Sequence, residues 1–457
     1  MKINNQQNYF YEGSTLSYEF RINALKKIKK QLLIFEKEII GALKKDLNKT
    51  EFESYQSEFG YVIYALNHTL KRLRSWMKPT KVKTPLFHFY SNSKIEKVPL
   101  GRVLIVGPYN YPFQLVIVPL IGAIAAGNVI TIKPSELAKN TGIIIKKIIE
   151  ELFDPKYIKV EIGGPETFNK ILESKIDHIF FTGSTKVGHI IYKKAAENLI
   201  PVTLELGGKS PVIVDETANI DVSIKRILRG KLLNSGQTCV SPDYVFVSKK
   251  IIDMFYKRLK EIYSTKFKNQ ISSKIINKDK EKRLSELVKD SKFLIDGKKN
   301  NDNAGLQVII DATENDRLMN EEIFGPILPV SSFESLEDVV EYLSKKSKPL
   351  AFYIFSESKK NIKYVMSKLS FGGAAINNTL LQITNLDLPF GGVGESGIGR
   401  YNGKYSFNTF SCSPSSDISI TSSILVINSD AFLLIMSLFN CGSVLFGCVT
   451  HLLSSKE

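Results

Sequence analysis

Residues 98–134 read VPLGRVLIVGPYNYPFQLVIVPLIGAIAAGNVITIKP. A β-rich run over residues 98–106 stops at Gly107-Pro108. Residues 113–126 are almost wholly apolar, too short to span a bilayer comfortably and suited to a buried helix. A second β-branched run over residues 128–132 closes at Lys133-Pro134-Ser135. The unit then repeats. Residues 138–152 predict a helix, 158–162 a strand, the stretch up to 174 a helix and 177–181 (DHIFF) a buried strand, after which Gly183 to Gly188 open another helix. Strands alternating with helices of about ten to fifteen residues predict a doubly wound parallel sheet.

Residues 201–206 and 211–214 continue the strand theme, with a helix from about 221 to 233 and a second α/β unit over 243–384. Within that unit the Lys/Asn/Asp-rich residues 296–303 read as an exposed loop. Upstream, residues 14–77 have helical spacing and no Pro, so they predict several packed helices. No internal repeat is visible.

A chain of 457 residues exceeds one compact core and implies two or three domains. Its 43% apolar and 24% charged composition is that of a globular protein. The net charge of +16 has one local concentration: Lys71, Arg72, Arg74, Lys78, Lys81, Lys83, Lys94 and Lys97 are opposed only by Glu96. Such a run is ordinarily a solvated surface, although it also attracts phosphates, acidic lipids or anionic substrates. No zinc-finger spacing or aromatic RNA-binding motif accompanies it, so no nucleic-acid partner is expected. The four cysteines form no CxxC pair, and no metal site is expected. Residues 1–13 are polar without a signal-peptide core, which places the catalytic part in a reducing cytoplasm.

Several segments carry chemistry. In Gly236-Gln237-Thr238-Cys239 a lone Cys follows a turn-forming stretch directly after a predicted helix. A thiolate is a good nucleophile, although a single Cys also fits as a small buried hydrophobe. Asn110, in GPYNYP at a strand end, offers an amide N–H to an oxyanion; it also fits as a helix cap. Glu205 lies inside an apolar strand, where burial should raise its pKa toward general-base work unless donors satisfy it structurally. Gly183, Ser184, Thr185, Lys186, Val187 and Gly188 join a strand to a helix N-terminus, a geometry that suits a pyrophosphate. Lys133 and Glu136 follow another strand and are placed to hold ribose hydroxyls, or simply to start a solvated helix.

Together these segments resemble the aldehyde dehydrogenase superfamily over roughly residues 15–410. The matching motifs, in order, are GPYNYP, IKPSE, FTGSTKVG, LELGGKSP, SGQTCVSPDYV, EEIFGPILPV and LPFGGVGESGIGRY. The short N-terminus and the GPYNYP and TCVSPDY variants are similar to the class 3 branch, which includes fatty aldehyde dehydrogenases and is typically dimeric. The resemblance implies an α/β fold of the aldehyde dehydrogenase type: a Rossmann-type cofactor domain, an α/β catalytic domain and a small β oligomerisation element. The implied division is residues 1–206 for the helical N-terminus and NAD(P)-binding domain, with part of the oligomerisation element near 85–100. Residues 207–385 form the catalytic domain carrying Cys239, residues 386–410 return to the cofactor domain and oligomerisation element, and 411–457 are an atypical apolar tail.

The same resemblance implies that Cys239 attacks the aldehyde while Asn110 and the Cys239 N–H hold the oxyanion. NAD (or NADP) accepts hydride, and Glu205 helps water cleave the thioester. Glu322 and Phe324 position the nicotinamide ribose and ring, and Glu136 disfavours a 2′-phosphate. Tyr61, Tyr111 and Phe390 are candidates for an apolar substrate tunnel, or for plain core packing. Medium- to long-chain aliphatic or aromatic aldehydes are the expected substrates. A CoA-acylating relative or a silent scaffold on the same fold are the alternatives, and Glu205 with Cys239 argues against both.

After Phe410 the chain leaves the family pattern. Only Asp417, Asp430, Lys456 and Glu457 are charged beyond it, and residues 431–450 (AFLLIMSLFNCGSVLFGCVT) carry no charge. A membrane anchor, a buried or dimer-contacting tail, and a displaced reading frame are three readings of this ending.

Overall fold

The computed structural model describes residues 5–85, 91–268, 270, 273–297 and 305–419. The chain divides into two units, Met1–Pro79 with Glu96–Pro414, and Thr80–Ile95 with Ser415–Glu457.

In the first unit, every residue of β1 (Arg102–Val106) and β2 (Val129–Lys133) is buried, because both faces of the sheet are covered. Val103 and Ile105 join one apolar cluster while Leu104 and Val106 join another, the period-two alternation of a strand. With β3 (Ile158–Val160), β4 (His178–Thr182) and β5 (Val202–Glu205), these strands form a parallel sheet in the order β5-β4-β1-β2-β3. The Gly397–Ile398 strand adds antiparallel to β5, so the late chain returns to this sheet. The chain builds outward from β1 to β3, then crosses back to place β4 on the other side of β1. The crevice between the carboxyl ends of β1 and β4 is therefore the topological switch point, where doubly wound sheets bind ligands.

One face of this sheet is covered by the helices Tyr18–Ile34, Glu36–Leu47 and Gly60–Trp76 together with Gln114–Ala126. The last is buried from Leu115 to Ala126 and ends at Gly127 in the left-handed region (φ 93°). A Cβ at Gly127 would lie 2.5 Å from the Arg21 guanidinium, which is itself fixed by the carbonyls of Thr15 and Ala125.

The second sheet contains β6 (Pro211–Val214), β7 (Tyr244–Ser248), β8 (Lys292–Asp296), β9 (Gln307–Ile310), β10 (Ile327–Phe333), β11 (Ala351–Phe355) and β12 (Gly373–Ile376). Their order is β8-β9-β10-β7-β6-β11-β12, with only β8 and β9 antiparallel. The expected strand at 98–106 is divided into Val98–Pro99 and Arg102–Val106 by Gly101 (φ 130°), which a side chain would drive against Asp177. Residue 296 of the expected 296–303 loop ends β8, and residues 298–303 lie outside the described residues.

The second unit contains a three-stranded antiparallel sheet in the order Thr80–Lys81, Ser91–Ile95, Ser415–Ser419. The apolar stretch 431–450 lies outside the described residues. Among the described residues, no helix is long and apolar enough to cross a membrane.

Candidate active site

The helix Ile220–Leu232 runs into a tight turn in which Asn234 (φ 52°), Ser235 (φ 52°) and Gly236 (φ 72°) are all left-handed. Such backbone costs a non-glycine residue about 1–2 kcal/mol and persists only where the surroundings impose it. Here they do. The Asn234 N–H donates to Glu53 Oε1 at 2.7 Å, and its side-chain amide donates to the carbonyls of Asn110 (2.8 Å) and Gln237 (3.1 Å). Ser235 donates to the Ser273 carbonyl, and Ser273 donates to the second oxygen of Glu53 at 3.0 Å. At Gly236 a Cβ would lie 2.3 Å from the Gly325 carbonyl oxygen. Gln237 Nε2 donates to the carbonyls of Asn234 (3.1 Å) and Lys274 (3.0 Å), and its Oε1 accepts from the Ile276 N–H.

This frame presents Cys239 half-buried as a free thiol. Burial pushes the thiol up to about 12, with the Glu322 and Glu205 carboxyls acting in the same direction. The N–H groups of Cys239 and Val240 oppose the shift. At neutral pH the resting group is therefore the thiol, and attack requires its proton to leave.

Asn110 is buried, and its side-chain amide donates to the Gln237 carbonyl at 2.9 Å, two residues before Cys239. Its own carbonyl accepts from Lys49 Nζ at 3.0 Å. Lys49 is ion-paired to Glu58 at 2.5 Å, with both side chains wholly buried. Glu58 also accepts from the N–H groups of Phe113 (3.1 Å) and Gln114 (2.8 Å), so the pair fixes the entire Asn110–Gln114 corner.

Glu205 ends β5 beside the same space. Both carboxyl oxygens are buried without a hydrogen-bond partner among the described residues. Desolvation drives its pKa well above the usual carboxylate range, against a weaker pull from Arg400. A cavity of about 490 Å³ holds Glu205 and Cys239 in its walls together with Tyr61, Tyr111 and Phe390. Tyr111 is also hydrogen-bonded to Thr238 at 2.7 Å, and Tyr61 donates to the Ile383 carbonyl at 2.9 Å. Asn110 stands behind this wall, joined to it through Gln237.

The remaining predicted residues collect at the carboxyl edge of the first sheet. Ser184 caps the helix Thr185–Ala196 by accepting from the Val187 N–H at 3.4 Å. The N–H groups of Thr185 and Lys186, in the first turn, have no intrahelical acceptor, and Ser184, Lys186 and Val187 are exposed. That leaves donors and space for a pyrophosphate. Gly188 packs on Leu206, which a side chain would strike at 2.5 Å. Across β1, Lys133 is paired to Glu136 at 3.1 Å. The donor set fits a dinucleotide: free N–H groups for its phosphates, and at Glu136 an exposed carboxylate for ribose hydroxyls.

Glu322 lies on the Gly207-Gly208 turn and accepts from the Gly208 N–H at 3.1 Å; a Cβ at Gly207 would meet its oxygen at 2.2 Å. Phe324 is left-handed (φ 52°) and packs edge-on against Tyr109 with ring centres 6.0 Å apart. Arg283 fixes this turn by donating to the carbonyls of Glu322 (2.5 Å) and Ile323 (2.9 Å). Burial, then Asp243, pushes Glu322 up to about 7. An unfolded Glu releases its proton near 4.3, so the native state holds more protons between that value and 7, and stability falls as pH rises through the window. Glu322→Gln keeps an acceptor for Gly208 and removes the titration. Its free energy of unfolding should match the parent's at pH 4 and exceed it by about 3 kcal/mol at pH 8. An equal difference at both pH values would contradict this.

Reading the sequence missed Lys49, Glu53, Glu58, Gln237 and Arg283, which hold the reactive groups without lining them up in any one motif.

A dinucleotide crevice in a parallel sheet, with a cysteine and a carboxyl in one adjoining cavity, defines an NAD(P)-dependent oxidoreductase. The chain belongs to the aldehyde dehydrogenase family: the sequence profile described as "Aldehyde dehydrogenase family" matches residues 3–413. It is 45% identical over 418 residues to a Staphylococcus aureus protein named 4,4'-diaponeurosporen-aldehyde dehydrogenase, covering 90% of this chain and 91% of that one. It is 39% identical over 410 residues to the dimeric NADP-preferring aldehyde dehydrogenase of Rattus norvegicus, covering 88% and 90%. A solved structure titled "Substrate bound state of Staphylococcus Aureus AldH" superposes with TM-score 0.90 at 41% identity, covering 96% of this chain and all of that one. The chain is thus a class 3-like aldehyde dehydrogenase by family, and NAD(P)-dependent oxidation of aldehydes is its activity.

Proposed function

We propose that the cavity beside Cys239 receives medium- to long-chain aliphatic or aromatic aldehydes and delivers carboxylic acids. The observation that carries this reading is Glu205: a buried carboxyl without a protein partner, in the same cavity as the thiol. The Cys239 thiol gives its proton to solvent water in the cavity, and its sulfur attacks the carbonyl carbon. The Cys239 N–H would meet the developing oxyanion, and the second amide N–H of Asn110, which has no acceptor among the described residues, would join it on a turn of that side chain out from behind Gln237. Bound in the adjoining crevice, NAD(P)+ would supply the acceptor for the hydride that leaves carbon, and Cys239 would then hold the acyl group as a thioester. Glu205 then takes a proton from water, whose oxygen replaces sulfur, and the acid departs. Tyr61, Tyr111 and Phe390 give the substrate apolar walls.

Gly183 to Gly188 would hold the pyrophosphate, Glu322 and Phe324 the nicotinamide half, and Lys133 with Glu136 the adenosine ribose. The Lys133 ammonium tempers the repulsion of a 2′-phosphate by Glu136, which supports use of both NAD and NADP. On this reading residues 1–206 and 386–410 form the cofactor domain and 207–385 the catalytic domain. A cytoplasmic homodimer is the proposed assembly, supported by the relative named dimeric. Contact with a membrane would fall to residues 431–450, and recovery of the full chain in a high-speed supernatant would exclude it.

Glu205→Gln tests the assignment. Hydride transfer precedes the step that needs the base, so the variant should give a burst of NAD(P)H equivalent to the enzyme. Steady turnover should then be about 10²–10⁴-fold slower. Undiminished steady turnover would remove Glu205 from the mechanism.

A further inference from the structure

Resting on the aldehyde-oxidising reading of this cavity, we propose that its mouth recognises a carboxylate at the far end of the substrate, with Arg229 as the docking guanidinium and Arg226 beside it. Of the lining residues, Thr182, Glu205 and Tyr401 are buried and share the cavity with the half-buried Cys239. Gln56, Arg226, Arg229, Leu381 and Thr384 are exposed and mark the opening.

The two arginines belong to the helix Ile220–Leu232. Arg226, Arg229, Gly230 and Leu233 recur at helical spacing, and all four line the cavity, so one stripe of the helix forms its wall. The arginines therefore face the opening rather than bulk solvent alone.

Their partners are the second observation. Arg226 donates one N–H to the Asn377 carbonyl, and the rest of its fork has no partner among the described residues. Arg229 makes no side-chain hydrogen bond or ion pair among the described residues. The acid on the same helix, Asp221, is committed to Arg258 and Lys225. Among the described residues, Glu205 is the one carboxylate that lines the cavity. Two cations thus stand at the entrance of a largely apolar channel, and among the described residues no carboxylate is paired to either.

A planar guanidinium matches the two oxygens of a carboxylate. A phosphate would also need donors for its third oxygen. Arg226 lies more than a turn past the helix start, so the N–H groups of that terminus are remote. The chemistry selected is an ω-oxo carboxylate: an aldehyde carbon to reach Cys239, an apolar chain along Tyr61, Leu380 and Phe390, and a carboxylate at the mouth. Oxidation would yield a dicarboxylate, with the far carboxylate unchanged.

The test compares nonanal with 9-oxononanoate, of equal chain length, using the full chain and NAD+. The parent should prefer the oxo-acid, mainly through a lower KM. Arg229→Gln should lower kcat/KM for 9-oxononanoate about ten-fold and leave nonanal within about two-fold, and Arg229→Lys should recover part of the loss. Added salt should raise KM for the oxo-acid alone. An equal loss on both substrates, or a parent enzyme indifferent between them, would overturn the carboxylate site. Failure of the parent to oxidise either compound would instead sink the aldehyde reading of the cavity.

Discussion

Cys239→Ala is expected to lower aldehyde-dependent NAD(P)H formation by at least about 10⁴-fold, the scale on which removal of a covalent nucleophile acts. The substitution removes one half-buried sulfur, and the turn before it is held by Glu53, Ser273 and the Gln237 side chain, none of which it touches. Folding and cofactor binding should therefore survive, and titration with NAD+ separates loss of chemistry from loss of structure. Burial pushes the parent thiol up to about 12, so the thiolate fraction grows about ten-fold per pH unit well below that value. Inactivation by iodoacetamide should accelerate with it. A Cys239→Ala protein that still turned over aldehyde at the parental rate would end the thioester mechanism.

Lys49→Met should cost about 3–5 kcal/mol of stability, because it leaves Glu58 buried without its cation. Burial already raises the Glu58 pKa, with Lys49 and the N–H groups of Phe113 and Gln114 holding it down. Two functional corners depend on the pair. Lys49 donates to the Asn110 carbonyl and lies 4.0 Å over the Tyr111 ring, while Glu58 fixes the start of the Gln114–Ala126 helix. Activity should fall along with stability. The double variant Lys49→Met/Glu58→Leu should regain much of the stability, though not all, since the two N–H groups then lack an acceptor. Urea midpoints for the single and double variants measure this. A single variant within about 1 kcal/mol of the parent would show the pair to be dispensable.

The fold was legible where burial on both faces turns strands into continuous apolar runs, as in residues 102–106 and 129–133, and where a helix is apolar all round, as in 114–126. Cys239, Glu205, Asn110 and the Gly183–Gly188 turn could be named as candidates because each sits in a short local motif, and those motifs follow one another in the order of a single family. The groups that hold them could not. Glu53 reaches residue 234, and Lys49 meets an acid presented by a single π-helical turn, Tyr55–Phe59, that propensity does not mark. Such partnerships depend on tertiary placement across long sequence separations, which hydrophobic period and composition do not record. The arginines of the cavity mouth were hidden for a related reason: on a helix surface they read as solvated charge until the cavity wall is known.

The left-handed turn at 234–236 also bears on how such an enzyme can change over generations. A polypeptide beginning at Gly207 would contain the thiol and its whole seven-stranded sheet, yet lack the Glu53 carboxylate that helps to impose the turn's shape. The posture of the Cys239 thiol is therefore not a transferable module. Recombination that exchanges one half of the gene for a distant cousin's must bring the matching acid with it, or inherit a cysteine without a conformation.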